Sequence, residues 1–170
     1  PGHYPDADML VVGHVIEKNT TEAPRPSRLT ADEQYTHISL WSLWSCPMLI
    51  GCPIDLMDEF TVALLSNDEV LDVHQDANGV GGKTVRNQEG VEVIVKNLAD
   101  GSVAVGLFNR RDEAENIAVD WALLGIAGEQ RVRDLWRQKD IGTFKESFTA
   151  RVRPHGVVMV RMSGVNNGVK

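Results

Sequence analysis

The chain has 170 residues, 42% apolar and 24% charged, with a formal net charge of -7, which is the make-up of a globular protein with room for one ordinary domain or two small ones. Scattered Lys and Arg in an acidic chain exclude the clustered basic surface that nucleic-acid phosphates require. No stretch reaches the roughly 20 apolar residues of a membrane helix, and no segment with a basic start and apolar middle marks a signal peptide, so neither a nucleic acid nor a membrane is expected as a partner.

The opening PGHYPDAD runs straight into an apolar run, Met9 to Val12, which reads as a strand. A capped helix, a second apolar strand and another helix follow, the rhythm of parallel βα units. Parallel strands need neighbours along both edges and helices over both faces, so the chain is expected to be the tail of a larger protein. EKNTTEAPRPSR, residues 17–28, is a polar, proline-bearing loop long enough to rim a site, and its Asn19-Thr20-Thr21 is an N-glycosylation sequon of a kind that also arises by chance. Thr30 and Glu33 form a capping box for a helix over TADEQYTHISLWSLW, with Tyr35, Ile38, Trp41 and Leu43 near one face and Pro47 stopping it. Met48 to Ile50 reads as a strand covered on both faces, ended by Gly51, Cys52 and Pro53, and Asp58 caps a second helix over DEFTVALLSN. Cys46 and Cys52 flank PMLIG; in extended chain they lie on the order of 20 Å apart, beyond disulfide reach, and are expected to be free thiols that leave the compartment open.

Asn78, Gly79, Gly81 and Gly82 mark a domain junction. After it the pattern is β: Val91 to Leu98 and Ser102 to Phe108 around the Ala99-Asp100-Gly101 turn, then alternation at Ile117, Val119 and Trp121, then Gln130 to Arg133, Ser147 to Val152 and Gly156 to Met162. These short strands imply an antiparallel sandwich or open barrel of about 80 residues. His3, His14, His37, His74 and His155 share no metal-ligand spacing, so no metal or other cofactor is expected, and His74 with Asp76 is assigned to the junction. Trp41, Trp44, Trp121 and Trp136 could serve as sugar platforms; burial is the stronger expectation for Trp41 and Trp44 on an amphipathic helix.

PDADMLVVG, DEQYTHISLWSL, CPMLIG, ALLSNDEV and HQDANGVGG, in this order and spacing, and then LADGSVAVGLFNR, RDLW and RPHGVVMVRM, resemble the C-terminal half of glycoside hydrolase family 27, the α-galactosidase and α-N-acetylgalactosaminidase group. The similarity covers essentially the whole chain. It implies an α/β plus all-β architecture: residues 1–80 as the last two βα units of a (β/α)8 TIM barrel, then residues 84–164 as an antiparallel β-sandwich. It further implies an α-galactoside substrate, a missing N-terminal barrel half as partner, and a secreted or periplasmic setting.

A retaining glycosidase needs two carboxyl groups about 5 Å apart. Asp6 and Asp8, if extended, share a face at about 7 Å, so such a pair is conceivable from geometry. The resemblance implies otherwise, with the nucleophile and acid/base on earlier barrel strands, so that this chain carries no catalytic residue. It maps Asp8 and Met9 to the sugar subsite, where a carboxylate accepts hydrogen bonds from hydroxyls, and gives Asp6 a structural or supporting role. The sequence departs from the family at Ala7, where many members have Pro, and at His3-Tyr4-Pro5, where many have a Trp-Asn pair. The leading expectation is thus the C-terminal portion of a retaining α-galactosidase-like enzyme, inert alone; the alternatives are a sandwich that binds carbohydrate, or a purely structural module, with the structural role ranked above sugar binding for the sandwich.

Overall fold

The computed structural model describes residues 4–16 and 23–165; His3 and the Asn19 sequon lie outside the described residues. In chain order it contains a two-residue ribbon, β1 (His14–Val15) with β2 (Arg25–Pro26), then α1 (Ala31–Trp44), a 3-10 turn at Ile54–Leu56, α2 (Glu59–Leu65) and α3 (Asp68–His74). The β region follows, with β3 (Lys83–Gln88), β4 (Val91–Asn97), β5 (Val103–Asn109), β6 (Glu115–Asp120), the one-turn α4 (Trp121–Leu124), β7 (Gln130–Asp134), β8 (Lys139–Phe144), β9 (Ser147–Val152) and β10 (Val157–Gly164).

The two apolar runs expected as strands lie side by side and parallel, but they share a single bridge, Leu10 with Ile50. Leu10 N–H donates to Leu49 C=O at 2.8 Å and Gly51 N–H to Leu10 C=O at 3.2 Å. On the other edge the amides of Val11 and Gly13 donate to side chains of α1 and not to a strand. Leu10 and Val12 turn into the core, while Val11, Leu49 and Ile50 are exposed.

Helix α1 starts at the capping box: Thr30 Oγ1 accepts from Glu33 N–H at 3.3 Å and the Glu33 carboxylate accepts from Thr30 N–H at 2.8 Å. It ends before Pro47, at Ser45, whose left-handed backbone (φ 57°) turns the chain out of the helix. Asp58 accepts from Thr61 N–H at 2.8 Å and opens α2. The second helical stretch is broken, because the Asn67 side chain accepts from Val70 N–H at 3.1 Å and so caps a new helix, α3. The same side chain donates through Nδ2 to Leu135 C=O at 3.1 Å, tying α3 to the β region. Replacing Asn67 with Ala removes both interactions and should cost about 1.5 kcal/mol, whereas Asn67→Asp keeps the cap and loses the donor; thermal melting of the two variants should rank them in that order.

All strand pairing beyond residue 82 is antiparallel. The large sheet runs β3-β4-β5-β10-β7-β8, and β6 pairs with β9 across from it. The β4–β5 turn closes through Leu98 N–H to Ser102 C=O at 2.9 Å, with Gly101 at φ +83° supplying the left-handed step. Alternation along β4 divides its side chains: Val93 and Val95 enter the core shared with Ile117, Val119, Phe148 and Val152 of the small sheet, and Ile94 and Leu98 enter a second core with Ile38 and Leu43 of α1. The large sheet is therefore covered by the small sheet on one face and by helices on the other, and every residue of β5 is buried. Trp121, read as a strand residue, instead begins α4 because Asp120 accepts from Leu123 N–H at 2.7 Å and caps a turn there.

The glycine segment lets backbone lie against the end of α1. Gly82 N–H donates to Leu43 C=O at 2.7 Å, and a Cβ on Gly81 would fall 2.7 Å from the carbonyl oxygen of Trp44. Lys96 of β4, 1% exposed, crosses the same interface. Its ammonium donates to Ser45 Oγ at 2.7 Å, to Ser42 C=O at 3.4 Å and to Val73 C=O, engaging the C-terminal ends of α1 and α3 together.

Candidate functional site

The sequence places its candidate residues at Asp6, Asp8 and Met9, directly before and at the head of the expected Met9–Val12 strand, and the structure gives Asp6–Asp8 a local turn in place of the extended chain that would pair the two carboxylates. Asp8 adopts a left-handed backbone with φ 66°, a conformation Asp tolerates better than most residues because its short polar side chain bonds locally. Two local bonds hold it, one to its backbone and one to its side chain. Asp8 N–H donates to Asp6 Oδ1 at 3.0 Å, and Asp8 Oδ1 accepts from Met9 N–H at 2.7 Å. Asp6 is thus occupied in holding its neighbour, the extended geometry that would pair Asp6 and Asp8 side by side is not formed, and both carboxylates are exposed. Met9 is 47% exposed beside Asp8.

One face of α1 holds the segment from behind. Trp41 Nε1–H donates to Asp8 C=O at 3.3 Å, Val11 N–H donates to His37 Nε2 at 3.3 Å, and Gly13 N–H donates to Gln34 Oε1 at 3.0 Å. Residues 34, 37 and 41 recur at i, i+3 and i+7, the spacing of one helical stripe, while 13, 11 and 8 run in the opposite sense along the facing backbone. Sequence reasoning expected Trp41 to be buried and found no metal-ligand spacing for His37; the Gln-His-Trp spacing was the signal available for the stripe. The His37 and Trp41 rings touch, with centroids 3.9 Å apart. Burial pushes the His37 imidazole below its ordinary pKa. On the opposite side a Cβ on Gly51 would lie 2.7 Å from Leu10 C=O, so only glycine lets the second run approach this closely.

Beneath the turn, Cys46 and Cys52 are buried free thiols, and burial raises the pKa of both. His74 Nε2 lies 2.7 Å from Cys46 C=O, and Asp76 accepts from the backbone amides of Asn78 and Ala99, so both residues work at the junction. Among the described residues no group of three or more His, Cys, Asp or Glu could hold a metal ion. None of the four tryptophans is a free platform. Trp121 is 5% exposed. Trp41 and Trp44, expected to be buried, are half-buried at the edge of the helix core, and Trp136 packs on Tyr35 and donates to Ser39 Oγ at 2.9 Å.

Residues 88–162 match the family profile described as the alpha galactosidase C-terminal beta sandwich domain. The chain is 36% identical over 165 residues to alpha-galactosidase 2 of Arabidopsis thaliana, covering 96% of this chain and 39% of that protein. It superposes with a TM-score of 0.91 and 32% identity on a GH27 β-L-arabinopyranosidase from Geobacillus stearothermophilus, covering 99% of this chain and 39% of that one. On alpha-galactosidase I from Mortierella vinacea the TM-score is 0.85 with 25% identity, over 95% of this chain and 40% of that one. The chain thus spans about two fifths of the length of these relatives.

Proposed function

The chain belongs to glycoside hydrolase family 27, matching the C-terminal part of its members, and from this we propose that it is one portion of a retaining glycosidase acting on terminal α-linked galactose. In this reading residues 1–80 are the last two βα units of a (β/α)8 barrel and residues 84–164 the sandwich packed on it. The parallel Leu10–Ile50 bridge with exposed Val11, Leu49 and Ile50 around it supports the barrel assignment, because apolar residues on a parallel pair need covering neighbours. Barrel active sites gather at the carboxyl ends of the strands, where loops converge. The strand of this unit is the Met9–Val12 run that pairs at Leu10, with the Asp8 turn directly before it.

The observation that carries the site assignment is the Asp8 turn itself: a strained aspartate, held from three sides, with its carboxylate exposed beside Met9. Asp8 accepts hydrogen bonds from sugar hydroxyls, Met9 packs on the ring, and Asp6 keeps Asp8 in place. The nucleophile and acid/base come from the rest of the enzyme, since Asp6 is committed to the Asp8 amide and retention requires two carboxylates about 5 Å apart.

The complete gene product containing this segment should release phenol from an aryl α-galactoside with retention of configuration, and residues 1–170 alone should not. Hydrolysis by the 170-residue chain, abolished in Asp6→Asn or Asp8→Asn, would make these two the catalytic pair and overturn the assignment. Galactose and L-arabinopyranose differ only in the exocyclic CH2OH, so an aryl β-L-arabinopyranoside belongs in the same assay; a preference for it would change the substrate while leaving the site in place.

A further inference from the structure

Helix α1 does more than cover the core. The carbonyl of Asp8 is held by the Trp41 indole N–H, and three residues on, the Val11 amide is held by His37 Nε2. The segment that carries the left-handed Asp8 is therefore gripped through its backbone, by two rings in contact and tilted 46° to one another. We propose that His37 and Trp41 are positioning residues that set the Asp8 turn, and that His37 does so only while its imidazole is uncharged. The expected effect on substrate rests on the assignment of Asp8 and Met9 to the sugar above.

The charge condition follows from hydrogen-bond chemistry. Because Nε2 accepts from Val11 N–H, the ring proton is on Nδ1. A second proton would convert Nε2 into a donor facing a donor, and the contact would open. Within the cleft of about 250 Å3 beside His37, the titratable or charged groups are Glu33 on α1, Arg110 after β5 and His155 before β10. Each has another partner: Glu33 caps α1 through Thr30, Arg110 pairs with Glu92, and His155 contacts Asp112 at 2.9 Å. On the segment packed against it, His37 accepts from the Val11 amide. Burial, with no charge contribution from these groups, depresses the imidazole pKa. The sign is then fixed: the unfolded ring binds its proton first, so the contact contributes fully above the unfolded value of 6.5 and is lost as pH falls through the lower folded pKa.

The test uses the complete gene product with His37→Leu, His37→Gln and Trp41→Phe, read by hydrogen–deuterium exchange of residues 8–12 and by aryl α-galactoside kinetics against pH. One hydrogen bond of about 1 kcal/mol corresponds to roughly five- to tenfold, so His37→Leu and Trp41→Phe should speed exchange at this segment and raise KM by about that factor, with kcat within about twofold. His37→Gln keeps an uncharged acceptor; it should restore both readouts and remove the rise in KM that the unmodified enzyme develops on the acid side. Unchanged exchange and KM in both His37→Leu and Trp41→Phe, or an acid-side rise that persists in His37→Gln, would overturn the proposal. Should His37→Leu fail to fold, Trp41→Phe and the pH profile of His37→Gln decide it. An enzyme inactive on every galactoside would sink the glycosidase reading alone, since exchange still reports on the turn.

Discussion

Replacing Asp8 with Asn is expected to lower kcat/KM of the complete enzyme by about 10- to 150-fold, the loss of a charge-assisted hydrogen bond of about 1.5–3 kcal/mol, while leaving its melting temperature unchanged. Asn is the informative change because it separates charge from conformation. It accepts the left-handed backbone that Asp8 adopts at φ 66°, and its side-chain oxygen can still receive the Met9 amide that now bonds Asp8 Oδ1 at 2.7 Å. Only the negative charge that the proposed site would offer to sugar hydroxyls is gone. Asp8→Ala removes the local bond as well and should add faster exchange over residues 8–12. Kinetics of Asp8→Asn indistinguishable from the unmodified enzyme would remove Asp8 from the substrate site.

The second large effect is expected at Lys96. Its ammonium sits where the carbonyl ends of α1 and α3 converge, donating to Ser42 C=O, Ser45 Oγ and Val73 C=O. Two opposing contributions decide the outcome. Hydrogen bonds from a charged donor contribute about 1.5–3 kcal/mol each, and the helix C-termini add a favourable field, while burying an ammonium costs several kcal/mol. Burial does lower the Lys96 pKa, with the Asp76 carboxylate opposing it. Removing the ammonium takes the donor from Val73 C=O and Ser45 Oγ at a buried interface, and that loss is the larger. Lys96→Ala, which also empties a fully buried volume, should cost about 4 kcal/mol, and Lys96→Met, which refills it, about 2 kcal/mol. Thermal melting of both variants reads this directly; a Met variant more stable than the unmodified protein would mean that desolvation dominates.

Much of the fold was legible wherever a residue acts through its own local backbone. The Thr30–Glu33 box and Asp58 marked two helix starts, the Asp100-Gly101 turn marked the β4–β5 hairpin, and Ser147 to Val152 is β9 to the residue. What escaped was set by distant partners. β3 and β8 are edge strands of the large sheet, and Lys83–Gln88 and Lys139–Phe144 carry the polar, solvent-facing residues that blunt such edges, so they lack the apolar alternation that announces a strand. Lys96 lies in VEVIVKNL at an inward position, in step with Ile94 and Leu98, where a lysine reads as exposed until two helix ends are known to meet it. At the site, the identity of Asp6, Asp8 and Met9 came from resemblance, while the left-handed turn and the Gln34-His37-Trp41 stripe depend on how α1 docks, and only coordinates reveal that.

The doubly covered large sheet carries a consequence for modularity. Ile94, Leu98, Phe108 and Met159 of that sheet share one core with Ile38 and Leu43 of α1. Cutting the backbone at the glycine junction would therefore strip the helices of their interior and bare one face of the large sheet, while the core between the two sheets stays within the β portion. The β portion cannot be shuffled between hosts like a tethered appendage, and it should melt together with the helices that it roofs.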